Sequence, residues 1–260
     1  MTFKVSIIVL LAGWMFGLSS ISQPVIAEGK RVESEWHTGE WRPAAGLTQE
    51  PIWPDYNAIP DKFPVQGKEE LNKEGDFVGK VSTPTMTIYP ARNKKSRSAV
   101  VVFPGGGYWC LAMKLEGTDV CDWLAAKGVT CILLKYRVPG DFLYPRSGCY
   151  PKNKAALEDA QRTIRVVRSR ASQLNIDPHR IGVLGFSAGG HLVAATSTLY
   201  DKTLYKPVDS ADKLSCRPDF AIMLYPGHLT EHTSKKFELN PYVPVTKKTP
   251  PTFMVQAADD

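Results

Sequence analysis

The chain has no C-x-x-C pair, no internal repeat, no low-complexity tract and no apolar run long enough to span a membrane. Each absence closes a class. Without cysteines at metal-ligand spacing no zinc site is expected, and neither a metal nor another cofactor is predicted. Charged residues make up only 22% of the chain, which sets it apart from disordered sequences. Histidine is scarce, with five in 260 residues: His37, His179, His191, His228 and His232. The net charge is +6, but the basic residues are scattered over a pre-strand loop (Lys94, Lys95, Arg97), a helix (Arg162, Arg165, Arg168, Arg170) and later loops. No aromatic-interleaved basic patch exists, so nucleic acid is not an expected partner.

A 43% hydrophobic content is enough for one sizeable core. Lys4, the apolar run Ser6 to Leu18 and the small-residue site Val25-Ile26-Ala27 predict a secretory signal peptide over residues 1–27. A membrane anchor is the alternative, but the run is short for a span. Export to the periplasm or beyond is therefore expected, with no integral span after cleavage. All five cysteines lie past this segment, and an odd number leaves at least one thiol unpaired. Cys121 and Cys131 are expected as buried thiols in a helix and a strand. Cys149 and Cys216 are a possible pair that spacing does not establish.

Residues 28–80 combine Pro, Gly, Trp and charge with weak periodicity. They predict an irregular arm held to the domain by Trp41, Trp53 and Tyr56. From residue 81 the pattern becomes regular. Strands are predicted at 84–90, 98–103, 129–134, 180–186, 219–225 and 252–257. Helices are predicted from Glu116 to Lys127, from Lys152 to Leu174 and after residue 187. Near-continuous apolar strands alternating with helices indicate an α/β fold with a mostly parallel sheet.

Two glycine motifs sit on this frame. Gly185-Phe186-Ser187-Ala188-Gly189 is a G-x-S-x-G sequence between a β-branched run and a helix start. That context makes it a nucleophile elbow, with Ser187 at its tip. Gly185 and Gly189 are expected to let strand and helix pack closely. Val100-Val101-Val102-Phe103 runs into Pro104-Gly105-Gly106-Gly107, a strand end whose bare backbone can face a ligand. Acyl transfer needs such N–H donors, because negative charge grows on the carbonyl oxygen. In lipases and esterases this loop reads His-Gly-Gly-Gly, and here Pro104 stands in the histidine's place.

With these motifs go Ile52-Trp53-Pro54, Leu111 to Asp119 (LAMKLEGTD), Leu134 to Pro139 (LKYRVP), Glu158 to Arg162, Ile181 to Leu192, Cys216 to Phe220 and Thr249 to Phe253. Together they resemble the α/β-hydrolase superfamily, in particular its exported bacterial esterase/lipase group. That group includes acetyl-xylan-esterase-like and feruloyl-esterase-like carbohydrate esterases, often given xylanase-like names. The resemblance covers most of residues 50–260. It implies an α/β-hydrolase fold over residues 81–260, with helices on both faces of the sheet. It also implies Ser187 as nucleophile and Gly106, Gly107 and Ala188 as oxyanion donors. The acid would follow the strand at 253–257, at Asp259 or, as runner-up, Asp260.

The base is the departure from the pattern. It belongs after one more strand, beyond Asp260. His37 is in the arm and His179 is at the far end of the sheet. His191 suits a packing role, and His228 and His232 match no triad position. The expectation is thus a C-terminally truncated hydrolase lacking its last strand and helix. Three functions compete. One is a secreted serine esterase acting on small acyl esters, chiefly acylated saccharides. Another is a serine peptidase on the same fold, and the last is a non-catalytic chain. The short 226–250 segment predicts no large lid. Tyr108 and Trp109, beside the glycine loop, either stack on a sugar or pack beneath the loop.

Overall fold

Apolar runs bounded by glycine and proline form the strands, and the computed structural model describes residues 36–60, 65, 67–93, 96–140, 149–230 and 238–257. The predicted signal peptide lies outside the described residues. In chain order the elements are β1 (Trp36–Thr38), β2 (Thr48–Pro51), β3 (Glu70–Asn72), β4 (Phe77–Gly79), β5 (Thr85–Tyr89), β6 (Ala99–Phe103), β7 (Cys110–Ala112), α1 (Asp119–Ala126), β8 (Thr130–Lys135), α2 (Ala155–Ser169), β9 (Ile181–Phe186), α3 (Ala188–Thr198), β10 (Phe220–Leu224) and β11 (Thr252–Val255).

Seven of these strands form one sheet in the order β11-β10-β9-β6-β8-β5-β2. β11 to β8 run parallel, and β5 and β2 add antiparallel at one edge. Every residue of β6, β8 and β9 is buried, so both faces of the central sheet are covered. The chain steps from β6 to β8 in one direction, then returns past β6 to β9 and on to β10. Right-handed crossovers taken in opposite directions put α1 on one face and α2 with α3 on the other. The direct packing of α2 on α3 agrees with this. The direction of winding reverses between β6 and β9, which pair through Phe103 and Gly185. In open parallel sheets ligands bind at such a reversal, beyond the carboxyl ends of the strands.

Two expectations need correction. The described part of the 28–80 arm is not irregular. β2 extends the large sheet, while β1, β3 and β4 join β7 in a small antiparallel sheet of order β1-β3-β4-β7. Strands of three or four residues are too short to show a period in sequence. Trp41 and Trp53 are buried as expected, but Tyr56 is exposed. The second correction concerns cysteine. Cys121 on α1 and Cys131 on β8 are joined by a disulfide, with their Cα atoms 5.2 Å apart. Cys149 and Cys216 are not joined to each other; both are buried thiols, as is Cys110.

The core also encloses charge. Arg137, just past β8, is fully buried against two acids of α2. Its Nε donates to both Asp159 oxygens at 3.0 and 2.9 Å, and Nη2 donates to Glu158 at 3.0 Å. Its Nη1 donates to the Pro60 carbonyl at 2.6 Å, and the Trp53 indole donates to Asp159 at 3.0 Å. One buried carboxylate thus joins α2, the end of β8 and the N-terminal segment.

Candidate active site

The site is built where β6 and β9 end. β9 runs straight into α3 with no loop, and the turn between them is Ser187 alone. Its backbone stands at φ 49°, ψ −116°, a region that L-residues avoid. The two glycines explain why the turn closes. A Cβ on Gly185 would fall 2.2 Å from the Gly189 carbonyl oxygen, and one on Gly189 would fall 2.0 Å from that of Phe103. The strain at Ser187 is held by three backbone bonds. Ser187 N donates to Leu224 O at 3.0 Å, and its carbonyl accepts from His191 N at 3.1 Å and Gly227 N at 3.0 Å.

The glycine loop lies against this turn. A Cβ on Gly105 would sit 3.1 Å from the Ser187 Cβ and 2.8 Å from the Phe186 carbonyl oxygen. Gly106 and Gly107 follow with φ of 123° and 61°, and Tyr108 with 63°. The Gly106 carbonyl is turned inward and accepts from Trp109 N and Cys110 N, each at 3.1 Å. Within the described residues no acceptor takes the N–H of Gly106 or Gly107. Ala188 opens α3, so its N–H is one that a helix start leaves without an intrahelical partner. The structure therefore brings together four of the residues singled out from sequence: Ser187, Gly106, Gly107 and Ala188. Asp259 and Asp260 lie outside the described residues, as does His232.

The other histidines divide by environment. His37 is exposed on β1, and His179 is exposed on the turn before β9, at the other end of that strand from Ser187. His191 is buried one turn along α3, and its Nδ1 is 2.8 Å from the Tyr108 hydroxyl. Burial, with His228 as a second cause, lowers its pKa to about 4. A neutral imidazole locked to a buried tyrosine is a strut, which agrees with the packing role read from sequence. It connects the residue after Gly107 to the helix after Ser187. Burial likewise raises the Tyr108 pKa well above its ordinary value. His228 is half-buried, with its ring 5.8 Å from that of His191 and 6.3 Å from that of Tyr108.

Tyr108 and Trp109 separate in the same way. Tyr108 is buried, and Tyr136 beside it donates to the Pro104 carbonyl at 2.7 Å. It packs beneath the loop. Trp109 is only partly buried and meets Trp36 of β1 with ring centres 5.6 Å apart.

Sequence reasoning missed Glu116. The sequence pattern makes it the first residue of a helix, but α1 begins at Asp119, and Lys114–Thr118 forms a π-helical turn before it. There the Glu116 carboxylate accepts from Gly105 N at 2.6 Å and from the Tyr225 hydroxyl at 2.8 Å. The one available signal was an acidic residue within about ten positions of the glycine loop, a spacing that a helix pattern absorbs without remark.

Known proteins resemble this chain in sequence and in fold. A family model described as BD-FAE matches residues 86–223, just over half of the chain. An acetylxylan esterase of Xylanibacter ruminicola is 34% identical over 142 residues, covering 54% of this chain and 25% of that protein. An endo-1,4-beta-xylanase B of Butyrivibrio fibrisolvens is 27% identical over 95% of this chain and 42% of that protein. The chain thus spans between a quarter and less than half of the length of these two relatives. The crystal structure of an acetyl ester-xyloside bifunctional hydrolase from Caldicellulosiruptor lactoaceticus is 34% identical, with a TM-score of 0.59. That match covers 80% of this chain and 73% of the other.

Proposed function

The chain belongs to the BD-FAE family and has the α/β-hydrolase fold, and from that premise we propose that it is a serine esterase releasing small acyl groups from saccharides. The observation that carries this reading is the contact between the strained Ser187 elbow and the Gly105–Gly107 loop. Ser187 Oγ attacks the ester carbonyl. A new Oγ–C bond forms and the carbonyl oxygen becomes an oxyanion, which the N–H groups of Gly106, Gly107 and Ala188 receive. The ester C–O bond then breaks, the sugar hydroxyl leaves with the proton taken from Ser187, and water hydrolyses the acyl-enzyme. Asp259, or Asp260, is the proposed acid that would orient the base. His191 is excluded as that base by its burial and its bond to Tyr108.

The saccharide part rests on two supports. The acetylxylan esterase and the acetyl ester-xyloside hydrolase are named for acetyl groups or xylose chemistry. The partly exposed Trp36–Trp109 pair beside the oxyanion loop offers the kind of aromatic surface on which sugar rings stack. The predicted leader makes export part of the same proposal.

The test uses the full-length protein with p-nitrophenyl acetate, acetylated xylan and an aminoacyl amide. Expected are hydrolysis of both esters, a fluorophosphonate adduct on Ser187, and loss of activity by at least about a thousandfold in Ser187→Ala. Cleavage of the amide in preference to the esters would favour the peptidase reading. No adduct and no turnover would leave a non-catalytic chain.

A further inference from the structure

The carboxylate of Glu116 touches two loops that both border Ser187. Its Oε2 accepts from Gly105, the residue that opens the oxyanion turn, and its Oε1 accepts from Tyr225, the first residue after β10. A Cβ on Gly105 would meet Oε2 at 2.6 Å as well as the Ser187 Cβ at 3.1 Å, so the carboxylate lies against the glycine loop beside the nucleophile. The β10 loop is itself fastened to the elbow, through Gly227 N and the Ser187 carbonyl at 3.0 Å. Three segments with no other reason to share a side chain meet at this one group.

The local backbone is shaped to put it there. Thr118 N bonds back to the Met113 carbonyl at 2.8 Å, a five-residue step that adds one residue to the turn. Such π turns cluster at functional sites because they re-aim a side chain. The turn seats closely: a Cβ on Gly117 would lie 3.0 Å from Leu133 and 3.5 Å from Pro104, the residue before the glycine loop. Tyr225 adopts φ 37°, unfavourable for a tyrosine, with its N–H tied to the Val255 carbonyl at 2.7 Å. Two departures from regular backbone thus converge on one pair of hydrogen bonds. A carboxylate can only accept, and here both of its oxygens do so. Burial and the bond to Glu116 both raise the Tyr225 pKa, so the phenol keeps its donor proton.

We propose that Glu116 is a positioning residue, whose carboxylate clamps Gly105 to Tyr225 and so sets where the Gly106 and Gly107 N–H groups stand relative to Ser187. This rests on the proposed esterase chemistry for its kinetic consequence, but not for its structural one. Oxyanion donors work only when they are placed before charge develops, and an ångström of slack is expensive.

The test compares Glu116→Ala, Glu116→Gln and Tyr225→Phe in the full-length protein. Rates on p-nitrophenyl acetate are normalised to the Ser187 sites that titrate with a fluorophosphonate. Glu116→Ala is expected to lower kcat about 10- to 100-fold while KM stays within about twofold, because the oxyanion exists only past the ground state. Tyr225→Phe keeps the Gly105 contact and is expected to lose less. Glu116→Gln is expected to recover most of kcat, since its oxygen accepts from Gly105 and its amide donates to Tyr225. In parallel, the Gly105 amide is expected to lose hydrogen-exchange protection in Glu116→Ala, and the Gly106 and Gly107 amide resonances are expected to move. Wild-type kcat per titrated site in Glu116→Ala, or unchanged Gly105 exchange, would overturn the clamp. An equal loss in the Ala and Gln variants would do so too. If the wild type turns over no ester, the exchange experiment still decides the clamp, and the failure belongs to the esterase reading alone.

Discussion

His191 shows how a single residue in an apolar helix acquires a pH signature. It stands four positions beyond Ser187, on a helix buried along nearly its whole length. Its imidazole gains a tyrosine partner but no compensating charge, so burial holds its pKa near 4. The unfolded chain binds that proton near pH 6.5. Above about pH 6.5 both states are neutral and the contribution is fully present. Between about 6.5 and 4 only the unfolded state takes up the proton, so stability falls as pH falls, by about 3 kcal/mol in all. The gap in unfolding free energy between wild type and His191→Gln should therefore shrink by about that amount from pH 7 to pH 4. A gap constant with pH would contradict it. At Gly189 the constraint is steric, because the carbonyl oxygen 2.0 Å from the missing Cβ is backbone and has no room to move aside. Gly189→Ala is expected to cost about 3 kcal/mol, read as a shifted urea midpoint. Such residues are the most legible in sequence. Gly185 and Gly189 announce themselves because no side chain fits the contacts made there, and Ser187 because it stands between them. Glu116 does not, because its role depends on a π turn that no local pattern encodes.

Elements were legible in proportion to their length and burial. β6, β8, β9 and β10 fall within a residue of their apolar runs, because a strand covered on both faces must be apolar throughout. α2 runs over Ala155–Ser169, shorter than the 152–174 stripe, since the apolar positions continue into non-helical turns that still pack on the core. β1 to β4 were hidden, because strands of three or four residues are specified by their pairing partners rather than by their own sequence. The disulfide was hidden for a related reason. Cys121 and Cys131 read separately as a core helix residue and a core strand residue. Only the packing of α1 on β8 brings their Cα atoms to 5.2 Å. Closing a loop of this size stabilises the fold by about 3 kcal/mol. With five cysteines in the chain and none in the predicted leader, the expected outcome is concrete. Alkylation of the denatured protein should modify three thiols without reductant and five with it, resolved by intact mass. Five modified thiols without reductant would show that the pair is not formed in the isolated protein.

At the scale of the whole molecule, the function-bearing feature is the reversal of winding between β6 and β9. It places a glycine-rich strand end next to a strand–helix elbow; the sequence marked both motifs, while their adjacency comes from a strand order that returns past β6. What sequence order did not indicate is how the N-terminal segment becomes part of the same cooperative unit. β2 pairs with β5 at the sheet edge, and a second tie is the buried cluster around Asp159. Asp159 accepts from Trp53 in the N-terminal segment, from Arg137 beyond β8, and lies on α2, which leads towards the elbow strand. Arg137 also holds the Pro60 carbonyl, so the N-terminal segment is bound at two points through one ion pair. Both side chains are completely excluded from water. Removing one partner then strands a buried charge, which typically costs 3–5 kcal/mol, whereas an exposed pair would cost little. Asp159→Asn keeps the shape and an acceptor for Trp53 but removes the charge, and Glu158 remains as a partial partner for Arg137. The expected loss is about 3 kcal/mol by urea unfolding. Amide exchange over residues 48–60 should become faster than in the central strands, whereas in the wild type both regions are expected to open together. Asp55→Ala is the control: it removes an exposed carboxylate that accepts from Asn57 and Ala58 at the start of a short 3-10 turn. It is expected to cost about 1 kcal/mol and to leave residues 48–60 opening with the core. If Asp159→Asn behaved like that control, residues 48–60 would be held by their strand pairing alone, and the buried ion pair would not be what ties them to the core.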